Sequence, residues 1–435
     1  MAWVNRRGFL VRTGLGLAGA ALASAATDQR TTRAQPGLDG RAGSTLAQAN
    51  FDDWAAVRGL FDLDPNLLHF GSLLLASHPA PVRDAIDAHR RGFDTNPVEY
   101  LHENQARFEG AVLRSASAYL GVAPTDIALT DSTTMGLGLL YNGLDVRADQ
   151  EILTTTHDFY ATHEALRLKA ERSGATMRMA RLYADSANTS QDEIVGSLAG
   201  AITPRTRIVA VTWVHSSTGV KLPIRALADT VAAANAGRDP ADLALLCVDG
   251  VHGLGVEDAD LPALGCDFLV AGCHKWMFGP RGTGIVWGQP RAWPSAGPTI
   301  PTFSDGSTPA GAMTPGGFHS FEHRWALSEA FDLHRQIGRS RATARIHALN
   351  SQLKQGMAAM RHVRLHTPID EDLSAGLVCF EVAGLSPQGV VDRLRASGII
   401  ASVTPYATSY ARLAAGLMNT PEEVDTVLSA LSGLA

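Results

Sequence analysis

Ala271-Gly-Cys-His274-Lys275-Trp276-Met-Phe-Gly279-Pro-Arg-Gly282-Thr-Gly284 is the stretch from which the fold of this chain is read. It follows the apolar run Asp267-Phe-Leu-Val-Ala and precedes Ile285-Val-Trp-Gly, so Lys275 stands where a short buried strand gives way to a glycine-rich turn. A strand end that faces a cleft partly desolvates an amine. The pKa falls, and the amine becomes a nucleophile toward carbonyls. A lone lysine is more often a solvated surface residue, so its neighbours must decide.

Upstream, Ala244-Leu-Leu-Cys-Val-Asp249-Gly-Val-His252 is a second apolar run that ends in an acid. Strand ends at the carboxyl edge of an open α/β sheet share one crevice, which would bring Asp249 and Lys275 to a common ligand. Before a glycine, Asp249 also reads as a plain turn residue. A carboxylate that keeps a pyridine nitrogen protonated, and a lysine that holds an aldehyde as a Schiff base, are together what pyridoxal 5'-phosphate requires. A third element is Ile127-Ala-Leu-Thr130-Asp-Ser-Thr133-Thr134-Met-Gly136, a strand that passes into hydroxyl residues and then a helix. Hydroxyls and free N–H groups at a helix start make an anion site, although N-capping by Ser132 or Thr133 explains the same residues.

The flanking sequence sets the frame. At 435 residues the chain can bury a large core, and 45% hydrophobic with 18% charged residues is an ordinary globular composition. With 37 basic against 43 acidic residues, a net charge of −6 and no basic block, nucleic acid is not expected as a partner. The four cysteines, Cys247, Cys266, Cys273 and Cys379, read as buried small hydrophobes rather than a disulfide framework, and their spacing predicts no metal site. Asn5-Arg6-Arg7-Gly8-Phe9-Leu10 followed by a glycine- and alanine-rich stretch from Thr13 to Ala26 reads as a twin-arginine export signal, with Ala23-Ser24-Ala25 as the cleavage site. The apolar run is short for a bilayer span. The mature protein is therefore expected in the periplasm or secreted, with the membrane involved only through the signal.

After Asp149 the pattern alternates strands with helices through the runs ending at Asp249 and Cys273, a βαβ rhythm that predicts a mostly parallel sheet covered by helices. Gln289 to Ser320, crowded with Pro, Gly, Ser and Thr, reads as a crossing to a C-terminal domain. The expected organisation is a signal and cleavage region at 1–34, a lead-in with a short helix at 35–66, a large domain at 67–310 and a small α+β domain at 311–435.

In combination these motifs resemble the class V branch of the fold type I pyridoxal phosphate enzymes, which includes cysteine desulfurases, kynureninase and isopenicillin N epimerase. The likeness runs from about Leu67 to the C-terminus. It rests on the hydroxyl-rich helix start, Asp-Gly-x-His, His-Lys-Trp with Gly-Pro-x-Gly-x-Gly, and Arg412-Leu-Ala-Ala-Gly-Leu-Met-Asn419-Thr-Pro-Glu-Glu-Val-Asp, in that order. The resemblance implies a fold type I transferase fold, with Lys275 as the Schiff-base lysine and Asp249 as the pyridinium partner. Thr133, Thr134 and His274 would hold the phosphate, and His252 would lie near the phenolic oxygen. Phe159 would stack on the ring, with His157 or Tyr160 as alternatives, and Arg412 would grip a substrate carboxylate by a two-point fork.

Departures from the family pattern narrow this. Ser397 to Ala411 contains no cysteine, where desulfurases carry their nucleophile, so persulfide chemistry of that kind is not expected. Gly272 replaces a frequent serine, and His215-Ser216-Ser217 replaces a loop that often holds asparagine. The expected activity is on the amino group of an amino acid or peptide, nearest to isopenicillin N epimerase-like proteins, in a homodimer. Transamination, α,β-lyase chemistry, side-chain modification of a siderophore peptide and a non-catalytic exported binding protein are the alternatives.

Overall fold

The computed structural model describes residues 50–303 and 306–434; the expected export signal and the first part of the lead-in lie outside the described residues. Where a helix is expected over Phe51 to Leu63, only Trp54–Arg58 is helical: Asp53 caps its start by accepting from Ala55 N–H, and Gly59 ends it. A two-residue strand follows, β1 (Leu68–His69). Helices Ala80–Thr95 and Pro97–Leu120, each with proline in its first turn, then lead into the central sheet.

That sheet comprises β2 (Ile127–Thr130), β3 (Glu151–Thr155), β4 (Thr176–Ala180), β5 (Thr206–Thr212), β6 (Leu245–Asp249), β7 (Phe268–Gly272) and β8 (Gly284–Gly288), in the spatial order β2-β8-β7-β6-β5-β3-β4. Strand β8 runs antiparallel to both of its neighbours, and the other pairs are parallel. All strands except β4, at the sheet edge, are buried along their length, as expected of apolar strands covered on both faces. This is the α/β, fold type I architecture that the resemblance implies. The helix Thr133–Gly143 is seated tightly because Gly136 lacks a side chain: a Cβ there would stand 2.5 Å from Val270 Cγ1.

Register places the chemistry. Thr212 pairs with Asp249 and Asp249 with Val270, while Thr130 and Gly272 both pair with Gly284. The carboxyl ends of β2, β5, β6 and β7 therefore meet along one edge, where a doubly wound sheet presents its ligand crevice.

The segment read as a crossing, Gln289 to Ser320, does more than connect. Ala292, Trp293, Ala296, Ala310 and Met313 join the core on one face of the sheet, and Thr314 Oγ1 accepts from Leu129 N–H at 3.1 Å. Beyond it, the helical stretch expected from Phe321 to Arg361 is two helices, Phe321–Ile337 and Arg339–Ala358, broken at Gly338 (φ 89°). Trp325 of the first packs among Phe93, Tyr100 and Phe108.

A second sheet, antiparallel and in the order β12-β13-β10-β9, is built from β9 (Val363–Leu365), β10 (Val378–Val382), β12 (Ser402–Val403) and β13 (Ala411–Leu413). Strand β11 (Ile399–Ile400) pairs in parallel with β1, and Phe70 packs in the C-terminal core beside Leu349, Phe380 and Val427. The helix Pro421–Ser432 closes this layer, its start fixed by a capping box between Thr420 and Glu423.

Candidate active site

Lys275 follows β7 in the sharp turn that the quoted stretch predicts. Phe278 N–H returns to Lys275 carbonyl, Gly279 N–H returns to Cys273 carbonyl, and Phe278 takes a left-handed conformation (φ 55°). The turn aims the lysine into a cavity of about 240 Å³. Thr133, Thr134, Phe159, Asp249, His252, His274, Lys275 and Arg412 all line it. A more voluminous open groove, about 600 Å³ beside Asn142, Lys169 and Arg172, contains no residue of this set.

The cavity divides by chemistry. At one end lies the start of the helix Thr133–Gly143. Ser132 Oγ caps Met135 N–H at 3.1 Å, and Thr133 Oγ1 accepts from Gly272 N–H at 2.8 Å. The first amides of the helix and the Thr134 hydroxyl are left for an anion. Gly272 is closely packed, since a Cβ would stand 3.0 Å from both Thr133 Oγ1 and the His274 ring, which would have to give by a few tenths of an ångström. A serine at this position, frequent in the family, would press on both side chains.

In the middle, Asp249 is buried and uses Oδ1 to accept from Val251 N–H at 3.1 Å. Burial pushes its carboxyl up to about 6, although the Val251 amide and the Lys275 cation pull it down. Lys275 is pulled down to about 8, chiefly by burial, with Arg412 acting in the same direction and Asp249 opposing. Acid and amine share the cavity without an ion pair between them among the described residues. His252 Nε2 lies 3.2 Å from Lys275 Nζ.

Of the three aromatic candidates, Phe159 is the one on the cavity wall. His157 is stacked on Tyr183 at 3.9 Å, and Tyr160 is 63% exposed. At the far end, Arg412 reaches in from β13, buried, with Nε on Ser402 Oγ (3.1 Å) and Nη1 on Ser216 carbonyl (2.9 Å). Among the described residues Nη2 has no acceptor, and no carboxylate pairs with the guanidinium.

Two residues of this site, Tyr406 and Thr212, escape a reading of the sequence, and Ser216 is met there only as part of a departure from the family pattern. Ser216 lines the cavity, and its Oγ meets Tyr406 Oη at 2.7 Å. Tyr406 sits at the tip of the loop between β12 and β13, which Thr404 and Tyr410 tie at its base, and its ring meets Phe159 edge-on. Thr212, at the end of β5, also lines the cavity, and its buried Oγ1 has no protein partner. Only the absence of cysteine in Ser397 to Ala411 hinted that another side chain fills that place.

This donor set fits pyridoxal phosphate. It offers a helix start for a dianion, an unpartnered buried hydroxyl, a carboxylate oxygen without a protein donor, an amine with a lowered pKa and a flat ring.

The family model described as Aminotransferase class-V matches residues 76–427. Isopenicillin N epimerase of Streptomyces clavuligerus is 25% identical over 403 residues, covering 88% of this chain and 98% of its own. A probable cysteine desulfurase of Vibrio cholerae is 24% identical over 393 residues, covering 84% and 93%. Among solved structures, the cystine C-S lyase C-DES in complex with its product cysteine persulfide superposes with a TM-score of 0.76 at 22% identity, covering 85% of this chain and 98% of that one. Cysteine desulfurase from Thermococcus onnurineus gives 0.75 at 20% identity, covering 87% and 97%.

Proposed function

The chain belongs to the aminotransferase class-V family, and on that premise we propose that this pyridoxal phosphate enzyme is exported and acts at the α-carbon of an amino acid or peptide substrate bearing a free amino group next to a carboxylate. The observation that carries this reading is the convergence of Lys275, Asp249, the Thr133–Thr134 helix start and Arg412 on one cavity.

When bound, the cofactor supplies an aldehyde that anchors an amino group and a ring that withdraws electrons from the adjacent carbon. The chain's residues do the rest. Helix-start amides, Thr134 and His274 hold the phosphate, and Asp249 keeps a proton on the ring nitrogen. Phe159 fixes the plane of the ring. Arg412 orients the substrate by its carboxylate, with Nη2 free to complete the grip. Lys275 removes and returns the α-proton, a task for which an amine near neutral pKa is suited.

Loss of the α-proton to Lys275 on one face and delivery of a solvent-derived proton to the opposite face, as the isopenicillin N epimerase likeness suggests, is the preferred outcome, with return by Lys275 to its own face as the non-inverting exchange. Amino transfer, α,β-elimination, modification of a siderophore side chain and ligand binding without turnover are the competing ones. A desulfurase route through a loop cysteine is disfavoured, because Tyr406 occupies that loop and all four cysteines are buried. Incubation in heavy water with candidate amino acids and a keto acid separates the rest. Racemisation with deuterium uptake and no keto acid consumption supports epimerisation, and keto acid turnover or ammonia release redirects it. No exchange with any substrate sinks it.

The proposal includes a homodimer. Leu74, Leu75, Met135 and Tyr160 are exposed apolar side chains adjoining the cavity lining, and a second copy would cover them. A monodisperse active monomer by light scattering would remove this part. Export rests on Arg6-Arg7 and the stretch that follows, and suits a protein that takes up its cofactor before leaving the cytoplasm. Replacing both arginines with lysine should leave the protein in the cytoplasmic fraction.

A further inference from the structure

Trp276 follows Lys275 directly, yet its indole is buried rather than turned to the cavity mouth. Two glycines make its berth. A Cβ at Gly376 would stand 2.6 Å from the indole, and one at Gly255 (φ 86°) would stand 2.9 Å from the Trp276 backbone. His334 Nε2 lies 2.9 Å from the Trp276 carbonyl, within hydrogen-bond distance. So fixed, the indole Nε1–H donates to His252 Nδ1 at 3.3 Å, and the other nitrogen of that ring, Nε2, lies 3.2 Å from Lys275 Nζ.

The two contacts together determine where the protons lie. An indole nitrogen only donates, so Nδ1 of His252 accepts and carries no proton. An imidazolium, with hydrogen on both nitrogens, would set one N–H against another. A neutral ring with Nδ1 bare carries its single proton on Nε2, and that N–H can only donate toward Lys275. An ammonium has no lone pair to receive it, whereas a free amine does. We infer that Trp276 is a positioning residue, which sets the Nε2–H tautomer of His252 and thereby holds the Lys275 amine unprotonated and nucleophilic.

The surroundings are consistent with this balance. Burial first, and then Arg412 from β13, disfavour a cation at Lys275, while Asp249 from β6 favours one; burial first, and then Arg412, oppose protonation of His252, as would any positive charge on Lys275 or His274. The carboxylate of Asp249 would by itself draw a proton onto the lysine. The indole and imidazole relay acts against that.

This inference rests on reading Lys275 as the amine that meets the cofactor's aldehyde, and its test separates the two. Cofactor-depleted full-length protein labelled with ¹⁵N-histidine is examined by long-range ¹H–¹⁵N spectra, with His252 assigned by its loss in His252→Gln. The expected spectrum shows Nδ1 unprotonated and Nε2 protonated, and Trp276→Phe should lose that preference. In parallel, pyridoxal phosphate is offered across a pH series. The amine adds to the aldehyde carbonyl with loss of water, borohydride reduces the resulting C=N bond, and peptide mass spectrometry locates the label. Trp276→Phe should move the capture profile up by about one pH unit, a roughly tenfold loss of capture at neutral pH that disappears in strong base. A wild-type His252 protonated on Nδ1 overturns the inference, as does a Trp276→Phe protein with unchanged spectrum and profile. If that variant does not fold, the wild-type spectrum decides. Labelling at a different lysine, with the tautomer as stated, sinks the reading of Lys275 and leaves the proton assignment standing.

Discussion

Tyr406 and Ser216 meet hydroxyl to hydroxyl at 2.7 Å, and the carbonyl of that same Ser216 holds Nη1 of Arg412 at 2.9 Å. One residue thus ties the loop after β12 to the guanidinium that faces the cavity. Burial pushes the Tyr406 phenol up to about 12, so it acts as a neutral hydrogen-bonding group through the physiological range.

Tyr406→Phe should loosen the placement of Arg412 without removing its charge. The expected result is a KM raised severalfold with kcat nearly kept. Arg412→Lys loses the planar fork and should cost about 1.5–3 kcal/mol, or roughly 10- to 100-fold in kcat/KM. Steady-state kinetics on whichever substrate shows α-proton exchange measures both, and an unaltered KM in Arg412→Lys would remove the carboxylate assignment.

Lys275→Ala should bind pyridoxal phosphate through the helix start and Asp249 but lose covalent attachment, seen as loss of the visible absorption band and of borohydride labelling. Exchange of the α-proton should fall by about 10²- to 10⁴-fold, the usual range for removing a general acid–base group. Retained label in this variant would place the reactive amine elsewhere.

Gly136→Ala tests how closely the helix Thr133–Gly143 lies on the sheet. The added Cβ would meet Val270 Cγ1 at 2.5 Å and Thr130 and Val286 methyls at 3.2 Å. Overpacking of this kind costs about 1–3 kcal/mol, and the denaturation midpoint should fall accordingly. Cofactor affinity should fall with it, because the proposed anion cradle is built on the same helix start.

Acid should destabilise the fold as its buried neutral histidines are driven toward protonation below pH 6.5. Burial holds His215 down to about 3 and His334 down to about 4, against an ordinary value of 6.5. Asp158 lies 3.8 Å from His215 but does not rescue its charge. Its oxygens already accept from Thr154, Thr155 and Thr212. Both rings are neutral when folded and gain a proton below pH 6.5 when unfolded. Their stability contribution is therefore complete above 6.5 and is lost as pH falls from there toward the folded-state values. At pH 5 His215 alone accounts for a loss on the order of 2 kcal/mol. Urea midpoints at pH 7.5 and pH 5 measure the drop, and His215→Gln should flatten it.

Much of the sheet and the middle of the site was legible because their signals are local. Lys275 and Asp249 each end an apolar run, and the crevice rule for parallel sheets brings such ends together whatever lies between them. Phe159 was harder to choose. A two-residue offset in the turn after β3 separates His157, under Tyr183, from Phe159, on the cavity wall, and no periodicity fixes that offset. The contact between Ser216 and Tyr406 was illegible for a different reason, since it spans 190 residues and depends on how the second sheet docks. Composition misled at Gln289 to Ser320, where prolines and glycines concealed Trp293 and Met313, both of which are core residues.

The pairing of Leu68 with Ile399 and His69 with Ile400 has a temporal consequence. On the ribosome, β1 emerges long before its partner is made and must wait for a mate until the whole central sheet has been synthesised. Residues 127 to 288 hold the complete central sheet, and the Thr133–Thr134 helix start, Asp249 and Lys275 lie within it, so these can assemble while synthesis continues. Arg412 arrives last. On the roles proposed above, the nascent chain therefore acquires the means to seize its cofactor before it acquires the means to choose a substrate.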